Sequence, residues 1–383
     1  MLEKTKYLYY ALNFLVFFIL SFISTQMIPY LIFVGYSIIE RGYIIAGSAI
    51  VVIAGQFIFG FLSDRFKRMK LFFIIAYALF LLGSFGMYGV QHQVFYYHMF
   101  VVSLMSGMVK VMIALDETWM LALRPKQYGS LRATGALGFS LGAPVAGFCI
   151  TSASYNSLLY VTFFLSIVVL IIVCATKDSK PNKSSKLELK DIHIFIKNKR
   201  YVALVFIFFL VYMIGSADQY IVIDKMVAIG ASSNDIALKW ALQSFMEIPL
   251  FFLANRLLNR WKARSLLLFA TFMYTLKFML YAFSTTPTMI VLSASLQLVT
   301  LPIVMLTSKV LIQEVSLKRM YTSAQMFAMA IFIGLSGCIT PILTSYLSKV
   351  IGYNQTLYAI AAFTIVPILC IIHDCKVVKK STS

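Results

Sequence analysis

Long apolar stretches alternate with short polar loops along the whole 383-residue chain. About 20 consecutive apolar residues form a helix that crosses a hydrocarbon core about 30 Å thick. Stretches of this length occur twelve times, so the pattern predicts an all-α integral membrane protein with twelve transmembrane helices. In chain order, the predicted helices 1 to 12 cover Lys6–Phe33, Arg41–Leu62, Lys70–Val90, Gln93–Ala122, Tyr128–Thr151, Asn156–Ala175, Tyr201–Ala228, Asn234–Leu258, Ser265–Phe283, Thr288–Gln313, Tyr321–Leu347 and Asn354–His373.

The charged residues do not change the number of predicted helices, but they indicate how the helices are oriented in the membrane. The chain is 61% hydrophobic and 12% charged, and its net charge of +19 falls mostly in alternate short loops. Because cytoplasmic loops carry the excess of Lys and Arg, we expect a multi-pass protein of the cell membrane with both termini cytoplasmic and no nucleic-acid partner. The basic loops contain Arg65, Lys67, Arg68, Lys70, Arg124, Lys126, Arg256, Arg260, Lys262, Arg264, Lys318 and Arg319.

One long polar segment, Lys177–Arg200, divides the chain. It predicts an N-terminal six-helix bundle over 1–176, a cytoplasmic linker over 177–200, and a C-terminal six-helix bundle with a short tail over 201–383. The linker is interpreted as a plain tether or, from Leu187 onward, as an amphipathic helix on anionic membrane lipids. Leu62–Lys67 aligns with Leu257–Lys262 in the second bundle, so the bundles are predicted to be parallel repeats.

The loop after helix 2 carries a motif. Gly60, Leu62, Ser63, Asp64 and Arg65 stand at the spacing of the signature of the major facilitator superfamily, which the loop resembles although Lys67 replaces a second glycine. A glycine permits helices to approach closely. The resemblance implies twelve helices in two six-helix repeats. Asp64 is interpreted as a latch that pairs with a basic residue or a helix N-terminus in one gating state. An ordinary basic cytoplasmic loop is the alternative.

Charged residues inside helices 4 and 5 form the first candidate site. Asp116 and Glu117 lie about three turns before the connecting loop, and Arg132 lies shortly after it. Each unpaired charge would cost about 2.5–3.5 kcal/mol in a membrane, so pairing is expected. Lys110 lies two turns before Glu117 on nearly the same helix face.

The stretch Tyr128–Phe139 resembles the start of helix 5 in the oligosaccharide/proton symporter branch of the same superfamily. There an aromatic-Gly pair is followed by Arg, Gly and Gly-aromatic at fixed spacing. The resemblance implies that Arg132 binds substrate, with Asp116 or Glu117 as its acidic partner. A salt bridge that only packs two helices is the alternative.

Glu247 on helix 8 and Lys277 on helix 9 should lie at equal depth, and Gln297 on helix 10 returns to that depth. The His and Glu that the symporter branch uses on helix 10 are missing, so Glu247 is the candidate proton carrier, paired with Lys277. Low-dielectric surroundings favour the neutral form of a carboxyl, as such a carrier requires. A static ion pair between the helices is the alternative.

Further candidates for contact with a substrate are Tyr212 and Asp218 on helix 7, Asn13 on helix 1, and Gln297. Water at the outer mouth is the alternative role for Asp218. The sequence contains no phosphate-binding loop, zinc spacing or nucleophile motif. We therefore expect no cofactor, no metal site and no enzyme.

Together these features predict a secondary transporter, working as a monomer, that moves a small polar solute by alternating access. A sugar, oligosaccharide or nucleoside in symport with protons is the first interpretation. A proton-driven exporter of drugs, peptides or metabolites is the second. A non-transporting sensor on the same scaffold is a third, but the chain shows no extra domain for it.

Overall fold

The computed structural model describes residues 2–124, 127–178, 195–317 and 321–382, and within these ranges all the regular structure is helical. The first six spans are α1 to α6. They comprise α1 (Leu2–Ser24, continued by Met27–Phe33), α2 (Ile38–Phe66), α3 (Met69–Gly89), α4 (Phe95–Leu123), α5 (Tyr128–Ala153) and α6 (Asn156–Ala175).

The second six spans follow the linker and include three interrupted helices. They comprise α7 (Lys199–Ala228), α8 (Ser233–Arg260), α9 (Ala263–Phe283), α10 (Pro287–Ser293 and Leu301–Glu314, joined by the 3-10 turns Ala294–Val299), α11 (Tyr321–Met329 and Ser336–Ile351, joined by the π-helical Ala330–Leu335) and α12 (Tyr353–Phe363 and Ile365–Thr382).

Eleven helices within the described ranges are long and apolar enough to cross a membrane, and α8 is the twelfth if its two parts are one span. The parts of α8 meet at 41°, next to Pro249, which removes a backbone donor from the helix. The prediction of a twelve-helix, all-α membrane protein is confirmed. The predicted helix ends agree within four residues except at α12, which continues to Thr382.

Helix starts follow local capping chemistry. Ser37 and Glu40 form a reciprocal capping box at the start of α2, and Ser232 and Asp235 form another at the start of α8. Each box satisfies backbone N–H groups that the first turn leaves without partners. The second span of each half therefore begins with the same kind of cap.

The two halves meet through α2 against α11 and α5 against α8. Small residues allow the approach. A Cβ on Gly42 would lie 3.0 Å from the carbonyl oxygen of Pro341, and one on Gly147 would lie 3.0 Å from that of Ser233. By contrast, a Cβ on Gly60 would lie 3.9 Å from Met326, which is ordinary contact. Among the described residues, Gly60 therefore lacks the close approach that was expected there, and the tight glycine contacts lie elsewhere.

Most of the linker, residues 179–194, lies outside the described ranges, and so does most of the amphipathic helix expected from Leu187. Directly after this segment, the ring of Phe195 stacks on Tyr201 at 5.2 Å and on Phe327 at 5.9 Å. The predicted boundaries at residues 177 and 200 stay a prediction.

Candidate functional site

We call the side of the bundle with Arg65, Arg124 and Arg260 the basic side, and the other the opposite side. Asp218 on α7 is buried in the second half, between two ammonium groups. Its Oδ2 accepts a hydrogen bond of 2.7 Å from Nζ of Lys277, and its Oδ1 lies 3.3 Å from Nζ of Lys239. Both lysine side chains are fully buried. An unpaired buried charge costs several kcal/mol, so the carboxylate stabilises both cations.

A glutamine amide extends this network to α10 and back to α8. Nζ of Lys277 donates to Oε1 of Gln297 at 2.7 Å, and Nε2 of Gln297 donates to Oε1 of Glu247 at 2.9 Å. The sequence predicted a direct pair between Glu247 and Lys277. The structure instead places Asp218 against the lysine and Gln297 between the two residues, because an amide can accept from one and donate to the other.

A break in α10 positions that amide. The α-helix ends at Ser293, and the 3-10 turns Ala294–Val299 contain Gln297. Pro302 follows at the start of the next helical piece, where its missing N–H breaks no intrahelical bond. Mid-helix 3-10 segments often mark functional hinges. The irregular segment therefore lies at the residue that joins the two charged groups.

In the first half, Nε of Arg132 lies 3.2 Å from Oε1 of Glu117, and the guanidinium lies 4.8 Å from the ring centroid of Phe17. The sequence left open which acid pairs with the arginine, and the structure pairs it with Glu117. The neighbouring Asp116 is buried. Asp116, Glu117 and Arg132 line one small space together with Asn13 on α1.

The site meets the interface between the halves. Lys110, near the middle of α4, is exposed and lies within electrostatic range of Arg132 and of Glu247 in the other half. The side chains of Glu117 and Arg132 keep 25% and 14% of their surface exposed. Charged groups from both halves therefore face a shared, accessible space near the middle of the bundle.

Bonds between the halves cluster from the middle of the bundle to the opposite side. Nη2 of Arg41 on α2 lies 2.6 Å from Oδ1 of Asp224 on α7, and both residues are 6% exposed. The hydroxyls of Tyr43 and Tyr346 are 2.9 Å apart. Nε2 of Gln26 donates to the carbonyl of Ser233 at 3.3 Å. The opposite side is therefore closed.

The remaining predicted residues lie away from these contacts. The ring of Tyr212 is half-buried and stacks on Phe332 at 4.6 Å. Arg65 is exposed, with its guanidinium 6.0 Å from the ring of Phe66. The side chain of Asp64, the predicted latch, lies outside the part that the structure describes.

Sequence reasoning missed Lys239, Gln243 and Arg41. Nε2 of Gln243 donates to Oδ2 of Asp218 at 2.7 Å, which makes it a member of the same network as Lys239. A signal existed for the first two, because Lys239, Gln243 and Glu247 follow each other at four-residue spacing and so lie on one face of α8. In the sequence, Arg41 is notable only as a basic residue at the start of predicted helix 2, on the side where the loops carry almost no Lys or Arg. Nothing in the sequence joined it to Asp224, which is 183 positions away.

Comparisons with known proteins agree with the fold. The chain matches the model of the MFS_1 like family over residues 7–359. It is similar to the nucleoside transporter NupG (15% identity, 97% of this chain, 99% of that chain, TM-score 0.79). It is similar also to a D-xylose-proton symporter (16%, 97% and 97%, 0.73) and to a POT family transporter in complex with a thioalcohol conjugated peptide (11%, 97% and 95%, 0.71). No curated protein matches the sequence.

Proposed function

The chain belongs to the MFS_1 like family of major facilitator transporters, and from this premise we propose that it carries a small polar solute together with protons. A sugar, oligosaccharide or nucleoside is the proposed solute class, and alternating access is the proposed cycle. The family makes the chain a multi-pass membrane transporter and not an enzyme. The proposal includes a cell-membrane location with the basic side cytoplasmic, monomeric function, and two bundles over 1–176 and 201–383.

One observation carries the proposal. The hydrogen-bonded series Lys277, Gln297 and Glu247 ends at a carboxylate that faces the charges of the other half across an accessible space. Glu247 has no cation in direct contact among the described residues, and its Oε1 is held by an amide. A neutral amide donor tolerates both the charged and the protonated carboxyl, so Glu247 is suited to gain and lose a proton during the cycle.

The polar groups around this carboxylate suit a solute rich in hydroxyls. Arg132 and Glu117 offer a forked donor and an acceptor on one side, and Gln297 and Lys277 lie on the other. Charge-assisted hydrogen bonds of this kind orient polar ligands strongly. The fold similarity to a nucleoside transporter and a D-xylose-proton symporter supports the same class of solute.

The test is proton movement in liposomes that contain the purified protein. Sugars, nucleosides and cationic dyes are added outside one at a time while a pH dye reports the external medium. External alkalinisation on adding a solute is expected and identifies both symport and the solute. Acidification on adding a dye would indicate an exporter, and no response across the panel would contradict the proposed coupling.

The role of Glu247 is tested in the same liposomes. Glu247→Gln should abolish accumulation driven by a pH gradient and leave solute exchange intact, because exchange needs no net proton transfer. Asp235→Asn is the matched control, since Asp235 is an acid of the same helix that only caps its start. Gradient-driven accumulation by Glu247→Gln at the level of this control would refute the assignment.

A further inference from the structure

Asp116 is a buried acid whose carboxylate lacks the partners that the other acids of the site have. The residue is 1% exposed. Among the described residues, no donor reaches its Oδ1, and no cation forms an ion pair with it. By comparison, Asp218 has two lysines, Asp224 has Arg41, and Glu117 has Arg132.

The space next to Asp116 gives it no solvent either. It is lined by Asn13, Glu117, Met120, Leu131 and Arg132, and it has no room for a water molecule. The amide nitrogen of Asn13 is a second buried polar atom on this space without a partner among the described residues. A hydrated carboxylate therefore does not fit here, and a dry, unpaired one is strongly unfavourable.

Charges on the neighbouring helices do not replace the missing partner. Between Arg41 and Asp64, α2 carries no charged residue; α1 carries none after Lys6, and α6 carries none. The single charged residue of α3, Lys70, lies in its first turn, where its Nζ donates to the carbonyl of Thr176 at 3.1 Å. Arg132 is the single charged residue in α5, and it is paired with Glu117.

Lys110 is the remaining cation of α4. It lies seven residues before Glu117 and six before Asp116. At about 100° per residue, Lys110 therefore shares the face of Glu117 and not that of Asp116. Two adjacent carboxyl groups thus compete for one guanidinium.

We propose that Asp116 is a second proton-binding site, neutral in the conformation closed on the opposite side, and ionised when Arg132 exchanges Glu117 for Asp116. In that step the O–H bond of Asp116 breaks and the proton leaves to water in the accessible space. The electron pair stays on the carboxylate, where the guanidinium compensates it. Glu117 is then released to face Lys110 or a solute hydroxyl. The role of this proton in transport rests on the proposed function, but the presence of a bound proton on Asp116 does not.

Infrared spectroscopy of the purified protein without solute tests the bound proton, because a protonated carboxyl has its own carbonyl stretching band. The background is Glu247→Gln, which removes the first proposed proton site. At neutral pH the band should be present in this background and lost on adding Asp116→Asn. It should remain on adding Asp235→Asn, which removes the control acid at the cap of α8.

A second variant tests the same proposal in case Asp116→Asn does not fold. Adding Glu117→Gln frees Arg132 for Asp116, so the band should weaken at least severalfold although Asp116 is still present. Absence of the band in the Glu247→Gln background, or its full retention with Asp116→Asn, would overturn the proposal. A band without proton movement in liposomes would instead refute the proposed function and leave the Asp116 site standing.

Discussion

Replacing Asp224 by alanine is expected to open the opposite side of the transporter. Asp224 and Arg41 form a buried ion pair of 2.6 Å between the halves. Removing one partner of a buried pair costs about 3–5 kcal/mol, because the other charge is left buried and uncompensated. The guanidinium also donates to the carbonyl of Tyr36, which retains one contact, so the lower end of that range is expected.

The loss of Asp224 destabilises only the closed conformation, because separation of the halves would return the guanidinium of Arg41 to water. Each 1.4 kcal/mol changes an equilibrium tenfold, so about 3 kcal/mol raises the ratio of open to closed molecules by roughly two powers of ten. Ser345 is a suitable reporter, since its hydroxyl packs on Gly42 at this interface and cysteine is close to it in size.

The assay is the labelling rate of Ser345→Cys with a maleimide in a protein whose five native cysteines are replaced. Asp224→Ala should accelerate labelling at least tenfold, and Arg41→Ala/Asp224→Ala should reverse part of that gain because no buried charge remains. Glu40→Gln is the matched control, since the hydrogen bonds of Glu40 to described residues all lie within its own capping box with Ser37. Equal rates in Asp224→Ala and this control would refute the electrostatic reasoning.

Three further changes test the packing around the site. Asp218→Asn should lower the free energy of unfolding in a detergent melt by about 3–5 kcal/mol, because it leaves two buried lysines without a counter-charge. Adding Lys239→Met should recover part of this loss, and an unchanged melting temperature in Asp218→Asn would contradict the two-lysine arrangement. Gly138→Ala should reduce the yield of folded protein, because its Cβ would collide with a backbone carbonyl of α1, whereas Gly89→Ala, with open space around it, should not. Pro302→Ala should slow solute uptake without lowering the melting temperature, because an N–H at position 302 would let an α-helix continue through the break in α10. Normal uptake would show that the break is dispensable.

The spans were predictable because a helix in a bilayer must satisfy its own backbone hydrogen bonds, so each stretch can be assigned without knowing its neighbours. A local cap such as Ser37 and Glu40 marks a helix start in the sequence, but the predicted helix 2 began at Arg41, three residues after the observed start at Ile38. The partners in the site depend on how distant helices pack. Lys277 was placed at the right depth for Glu247, but only the packing of α7 brings Asp218 between the expected partners.

The distribution of the networks explains how the halves can separate in a membrane. Asp218, Lys239 and Lys277 are all in the second half, while Arg132 and Glu117 are both in the first. Rotation of the halves as rigid bodies therefore requires none of these ion pairs to break and exposes no new unpaired charge to lipid. The proposed exchange of Glu117 for Asp116 at Arg132 takes place within the first half. The pair between Arg41 and Asp224 is the ionic contact of the described interface that must break, and it would break into water at the opposite side. The α7 helix carries both acids, six residues and about 9 Å apart, so the bond that holds the transporter closed and the central network share one helix.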